Sequence, residues 1–443
     1  MRRRDRGLRR QRPDDVAAAW GQAVVDLPVE GCTPRVDART LLLLPKTGGT
    51  EDVLATLAGR GDVGLRLAAL DRAEIKAAFR ALIGDGHERL RDVDYRPDDA
   101  DLAAAKARYR EFLVPVMQRL KRERDLAGVV SANVTYYAER ELAAACEAVG
   151  LPFLVLHKES IRSPRQREAF TRAYALRTGP FTGRSVATYN RDERDAQVAG
   201  GVVTDATVVG CPRIDALHRW RERRAAAARD GATPAGGPIV LFAIDHRAGS
   251  WTPFDGEPDG AATEWADAPR WEELARTTEA AFVDLAGRYP NHPFVLKAKV
   301  GRGVEQLRRR LATHLPGGLP ANVTVVTSGT ATELIGEAAV LIAFNSTVIA
   351  EGLAAGVPVV VPEWAEAAHA EAQPWLYPVG SAVNRVRTPD DLATVVLAAQ
   401  AAHRRPRTDL ALPAAEALDR LVGNSDGRAG DRAWAWMGAA LSG

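Results

Sequence analysis

The chain is poor in cysteine, in lysine, in net charge and in long apolar runs. Of its 443 residues three are cysteines, Cys32, Cys146 and Cys211. No two of them have the spacing of a zinc site or a redox pair, which excludes a disulfide scaffold and a cysteine metal ribbon, and fits a reducing cytoplasm. Lysine and arginine number 59 against 57 acidic residues, a formal charge of +2. A dedicated nucleic-acid binder carries a stronger basic bias, so no nucleic-acid partner is expected. No apolar run approaches the ~20 residues of a membrane span. No repeat of solenoid period is present. The arginine-rich start, MRRRDRGLRRQRPDD, is followed by no apolar stretch. It is expected to be a solvated, disordered tail rather than a secretory signal, with attraction to anionic lipid as its route to peripheral association at the inner face of the membrane.

What is present is a globular chain, 46% apolar and 26% charged, long enough for ~2–3 domains. Only seven of the 59 basic residues are lysines. Where arginine fills the general surface role, a lysine marks a place wanting a compact point charge.

From residue 39 short apolar runs alternate with helical stretches: RTLLLLP, VGLRLAAL, LAGVVSAN and LPFLVLH read as strands, each followed by an amphipathic segment. A polar, Gly/Pro-containing stretch at 219–237 interrupts the pattern. A second series begins with PIVLFAID and ends with VPVVVP. Continuous apolar strands alternating with helices imply parallel sheets covered on both faces. The expected fold is α/β, two Rossmann-like doubly wound domains facing a cleft. The boundaries are 1–35 for the basic segment, 36–218 for an acceptor domain, 219–237 for the linker, 238–402 for a nucleotide-donor domain, and 403–443 for closing helices, read as crossing back to the first domain.

Ligands of such sheets bind outside the carboxyl ends of the strands, so function is sought there. After the first strand Lys46 precedes Gly48 and Gly49, which let a ligand approach the backbone at a helix start. After LPFLVLH come His157, Lys158 and Glu159. A carboxylate there can take a proton from an attacking hydroxyl, and the lysine can stabilise phosphate charge. Lys297 and Lys299 share one face at the end of FVLKAKV, and a bound diphosphate relieves their repulsion. In AVLIAFNSTVIAEGLAAGVPVVVPE, Asn345 and Ser346 are expected to cap a helix. Its first N–H groups, with the Ser346 and Thr347 hydroxyls, make an anion site. Glu351 lies one turn deeper on the same face and can accept from ribose hydroxyls. Thr330, in the turn after NVTVVTS, joins this donor set. Asp245 and His246 open a long segment with Trp251, Phe254 and Trp265, read as a lid over an acceptor.

FNSTVIAEGLAAGVPVVVP resembles the nucleotide-sugar-binding segment of GT-B glycosyltransferases. VVGCPRID at 208–215 and LPFLVLHKES are similar to bacterial surface-carbohydrate biosynthesis proteins of the capsule (or lipopolysaccharide) glycosyltransferase and CDP-glycerol glycerophosphotransferase type. The resemblance spans roughly 125–365. It implies a donor held mainly by the second domain, with Ser346 and Thr347 on phosphate, Lys297 on the diphosphate, Glu351 on ribose, and Glu159 as acceptor base. The Lys-x-His-Pro of several such relatives is replaced here by KAKVGRG.

The expected activity is metal-independent transfer of a sugar or polyol phosphate from a nucleotide-activated co-substrate to a carbohydrate acceptor, which includes lipid-linked ones. No cofactor is expected. Glu159, or else His157, deprotonates the acceptor; Gly48, Gly49, Lys158, Asp245 and His246 line the acceptor side. Two rivals share the sequence evidence: a nucleotide-sugar 2-epimerase on the same fold, and a non-catalytic sugar-nucleotide or glycan-binding protein.

Overall fold

The structure is a computed structural model that describes residues 12–95, 99–158, 160–230, 236–255, 265, 268–298, 302–315, 317–329, 331–403 and 409–442. In chain order the first half contains α1 (Pro13–Ala23), β1 (Val25–Leu27), β2 (Cys32–Leu43), α2 (Gly49–Leu57), β3 (Gly61–Ala69), α3 (Arg72–Ile83), α4 (Ala100–Glu123), β4 (Leu126–Ser131), α5 (Arg140–Ala148), β5 (Phe153–His157), α6 (Pro164–Ala173), β6 (Ser185–Thr188), α7 (Arg191–Ala199), β7 (Thr207–Val208) and α8 (Asp215–Arg229). The second half contains β8 (Ile239–Phe242), α9 (Glu272–Arg288), β9 (Phe294–Lys297), α10 (Arg302–His314), β10 (Val323–Val326), α11 (Ala331–Glu337), β11 (Val340–Ile342), α12 (Val348–Ala354), β12 (Val359–Pro362), β13 (Asn384–Val386), α13 (Leu392–His403), α14 (Leu412–Val422) and α15 (Ala429–Ser442).

The chain divides into two compact units. The first comprises Met1–Ser160, Phe170–Arg213 and Arg428–Gly443; the second comprises Ile161–Ala169 and Ile214–Gly427. Unit one holds a sheet of order β1-β3-β2-β4-β5-β6-β7, parallel except for β1, which pairs antiparallel with β3. Unit two holds the sheet β10-β9-β8-β11-β12-β13, parallel throughout. Counted from its own first strand this is the order 3-2-1-4-5-6, that of dinucleotide-binding sheets. The protein is therefore α/β, with two Rossmann-like, doubly wound units.

The strands read as unbroken apolar runs because helices cover both faces. Leu41–Leu44, Val129, Val130 and Phe153–Leu156 are all buried. In unit two Gly352 on α12 permits the close approach of that helix to its sheet. A Cβ there would lie 2.5 Å from Leu341 Cδ1 and 2.9 Å from Val359 Cγ2. Helix starts are held by side-chain acceptors: Asp71 takes the Ala73 N–H, Asn190 the Glu193 N–H, and Glu366, 93 residues distant, the N–H groups of Glu273 and Leu274.

Three expectations change. Residues 13–35 are not an extended basic tail: they form α1, β1 and the start of β2. Val16, Ala17 and Trp20 are buried at helical spacing, a stripe that the surrounding arginines obscure in composition. The 219–237 stretch is not a linker at its start, because α8 runs through it to Arg229. Residues 161–169 belong to the second unit although they precede the first unit's last strands. The tryptophan-containing end is helix α15, whose Trp436 and Met437 join the core of unit one with Leu41, Val130 and Leu156. Among the described residues no helix is long and apolar enough to cross a membrane.

Candidate functional site

In unit two the strand order reverses between β8 and β11, which pair in parallel. A crevice opens outside the carboxyl ends at such a reversal, because the connections leave in opposite directions. The segments that follow β8, β9 and β11 border it.

Lys297 is the last residue of β9, in register with Phe242 of β8 and Val326 of β10. It is 4% exposed. Among the described residues its Nζ donates only to the Ala298 carbonyl, at 3.3 Å, and has no carboxylate at ion-pair distance. Burial pushes its pKa below the ordinary lysine value. Among the described residues this buried ammonium has no acid partner, and it stands at the carboxyl end of the sheet.

Glu351 sits mid-way along α12 and is 8% exposed. Ser346 is half-buried and Thr347 exposed, both before the helix. The helix starts at Val348, not at Ser346, and Thr347 makes no side-chain cap. It has seven residues, so its dipole is a smaller source of positive charge than the sequence reading assumed. Asn345 does not cap it either. With φ of +41° its side chain turns to the neighbouring loops. Nδ2 donates to the carbonyls of Trp375 at 2.9 Å and Ala248 at 3.2 Å, and Oδ1 accepts from Tyr377 N–H at 2.9 Å. It ties the end of β11 to the loops at Ala248 and at Trp375–Tyr377.

Asp245 and His246 follow β8, with His246 Nδ1 3.6 Å from Asp245 Oδ1 and the Arg247 N–H donating to that same oxygen at 3.0 Å. The segment they open was expected to be a lid. Phe254 and Trp265 are instead buried and stacked, centroids 6.2 Å apart, and Trp251 is the exposed ring. Arg310 of α10 pairs with buried Glu279 of α9 at 2.5 Å and donates to the Ile244 carbonyl, just after β8, at 3.3 Å. Burial raises the Glu279 pKa against the opposing pull of Arg310.

In unit one the corresponding reversal lies between β2 and β4. Gly48, Gly49 and Lys158 do come together there. A Cβ on Gly49 would lie 2.4 Å from Ala132 Cβ, and on Gly48, at φ +82°, 3.7 Å from Lys158 Cδ. Gly49 is thus demanded by the approach of α2 to the end of β4, and the lysine stem lies over the pair. Beside them stands a buried cluster that sequence reasoning missed. The Asp52 carboxylate, 0% exposed, accepts from Arg213 Nη1 at 2.9 and 3.1 Å and from Tyr189 Oη. Arg213 Nη1 also donates to Tyr189 Oη at 2.8 Å. Burial raises the Tyr189 pKa well above its ordinary value. The only sequence signal was Arg213 itself, inside VVGCPRID.

His157 is a correction. It ends β5 fully buried, Nε2 3.1 Å from Glu193 Oε1, while the Val134 N–H approaches Nδ1 at 3.5 Å. An imidazole so enclosed offers no face to an acceptor hydroxyl. Glu159, Lys299 and Thr330, also assigned from sequence, lie outside the described residues.

No family model matches the chain, and no curated protein matches it in sequence. Among solved structures, the UDP-GlcNAc 2-epimerase of Neisseria meningitidis bound to UDP-GlcNAc is similar at 11% identity, covering 91% of this chain and 99% of that one, with a TM-score of 0.49. HepE of Anabaena in complex with UDP-glucose is similar at 15% identity over 90% of this chain and 99% of its own, TM-score 0.43. The UDP-forming α,α-trehalose-phosphate synthase of Burkholderia vietnamiensis gives 14%, 91%, 99% and 0.44. Likenesses this remote settle neither reaction nor substrate.

Proposed function

We propose that the protein is a glycosyltransferase of surface-carbohydrate biosynthesis. It moves a sugar (or a polyol phosphate) from a nucleotide-activated donor to a carbohydrate hydroxyl, with no resident cofactor or metal. One observation carries the reading: Lys297, buried and without an acid partner among the described residues, stands at the carboxyl edge of a sheet wound in the dinucleotide-binding order.

In this reading the donor diphosphate lies against Lys297, with the Ser346 and Thr347 hydroxyls as further hydrogen-bond donors. Glu351 accepts from the ribose. The acceptor oxygen attacks the anomeric carbon and the bond from that carbon to the diphosphate oxygen breaks. The nucleoside diphosphate leaves with its new charge held by the Lys297 ammonium, and the acceptor proton passes to Glu159. Desolvation makes that ammonium a stronger partner for developing charge than a surface lysine.

The first test is a thermal-shift screen with UDP, GDP, CDP and CMP, since a ligand that binds only the folded state raises the melting temperature. One nucleotide is expected to stand out. Glu159→Gln is then expected to abolish transfer while leaving nucleotide affinity unchanged. Epimerisation of the donor incubated alone would replace this reading with the 2-epimerase. Tight nucleotide binding without turnover across an acceptor panel would replace it with a binding protein.

A further inference from the structure

We infer that Ser163 and Gln166, on the segment 161–169, are positioning residues for the nucleotide site of the second unit. The inference rests on the donor reading above and adds to it what holds the site's rim in shape.

The loop after β8 has four consecutive carbonyls, and each is held by a side chain. Ala248 O accepts from Trp271 Nε1 at 2.6 Å and from Asn345; Gly249 O from Ser163 Oγ at 3.0 Å; Ser250 O from Arg247 Nη2 at 3.4 Å; Trp251 O from Gln166 Nε2 at 2.8 Å. Local bonds shape the turn, Ala248 N–H to the Asp245 carbonyl at 2.9 Å and Ser250 N–H to the Arg247 carbonyl at 3.1 Å, and donors from three other stretches of chain, at 163–166, 271 and 345, tie it to the rest of the unit. Ser163 and Gln166 lock each other as well: Gln166 Oε1 accepts the Ser163 N–H at 3.2 Å. Both side chains are buried. A third contact from the same segment, Arg165 over the Trp265 ring at 4.2 Å, fixes the far side of the loop.

With these carbonyls held, the loop's backbone is fixed where it leaves the carboxyl end of β8, beside the reversal between β8 and β11. A loop of this kind loses little entropy when a nucleotide binds, and freeing it adds that loss to the binding free energy. Ser163 and Gln166 bond to the loop itself, so they act through it.

The test uses the full-length protein. Gln166→Glu is nearly isosteric: it keeps the acceptor for the Ser163 N–H and replaces the donor to Trp251 O by a repelling oxygen. Ser163→Ala removes the other donor, and Ser163→Thr keeps it. Two quantities are read: amide hydrogen exchange of 247–252 without ligand, and calorimetric Kd for the nucleotide that gives the largest thermal shift among UDP, GDP, CDP and CMP. The expected result for Gln166→Glu and Ser163→Ala is faster exchange confined to that loop and a Kd raised five- to twentyfold. The turnover number is expected to hold, KM for the donor to rise, and Ser163→Thr to match wild type. If a variant unfolds globally, Ser163→Thr paired with Gln166→Asn repeats the comparison. Unchanged Kd in variants whose loop exchanges faster overturns the inference alone. A wild-type protein that binds none of the four nucleotides overturns the donor reading, and the inference with it.

Discussion

Lys297→Met makes the sharpest case, because the charge reading predicts opposite signs for two measurements. Lys297 is 4% exposed and its only donated bond among the described residues is a long one to a backbone carbonyl. Without a ligand, the folded protein carries the cost of desolvating that ammonium. An uncompensated buried polar group costs roughly 1–3 kcal/mol. Methionine matches the length of the side chain and has no charge to dehydrate. The ligand-free variant should therefore be as stable to denaturant as wild type, or more stable by up to that amount. With a nucleotide diphosphate the sign reverses. A hydrogen bond to a charged group contributes about 1.5–3 kcal/mol, so Kd should rise roughly 10- to 150-fold. The pH dependence gives a second handle. Burial sets the Lys297 pKa below its ordinary 10.5, so between the two values the unfolded chain binds more protons. Wild-type stability from this group accordingly rises with pH across that window, while nucleotide affinity falls as the ammonium is lost. The methionine variant should show neither limb. Chemical denaturation and calorimetry, each at pH 7 and pH 9.5, decide the matter. A variant that binds nucleotide as tightly as wild type, or that is clearly destabilised without ligand, refutes the reasoning.

Other outcomes follow from particular contacts. Glu351→Gln should weaken a ribonucleotide about tenfold but leave its 2′-deoxy analogue nearly unchanged; equal losses for both would remove the ribose assignment. Asp52→Ala removes the carboxylate that the Arg213 guanidinium and the buried Tyr189 hydroxyl both donate to. It should cost about 3–5 kcal/mol in urea unfolding of unit one, and a loss below about 1 kcal/mol would show the cluster to be incidental. His218, enclosed in unit two beside Arg221 with Nε2 3.0 Å from the Asn424 carbonyl, has its pKa pushed down to about 4 by burial first and Arg221 second. The unfolded chain then binds the extra proton between about 6.5 and 4, so stability should fall by up to about 3 kcal/mol as pH drops through that window. A His218→Gln variant should lose this acid limb, and identical limbs in the two proteins would contradict it.

How far the sequence reached depends on the range of the interactions concerned. The alternation of apolar runs and helices was legible, because strand and helix periods are local. So were the strand ends, because residues following a parallel strand must emerge at its carboxyl end. That is how Lys297, Glu351, Gly49 and Lys158 were singled out. The burial of α1 was missed because its three-residue stripe, Val16, Ala17 and Trp20, is short beside a run of arginines.

By itself the sequence determined two series of covered parallel strands and the side chains delivered to their ends. Only the tertiary structure decided what those side chains do. Asn345, read as a helix cap, is claimed by carbonyls 97 and 30 residues away in the chain. His157, read as a base, is enclosed with Glu193, 36 positions later. Residues 161–169 join the second unit through bonds spanning 85 and 86 positions. Partners so distant leave no periodic trace along the chain, because the fold, and not the local backbone, brings their atoms within hydrogen-bonding distance.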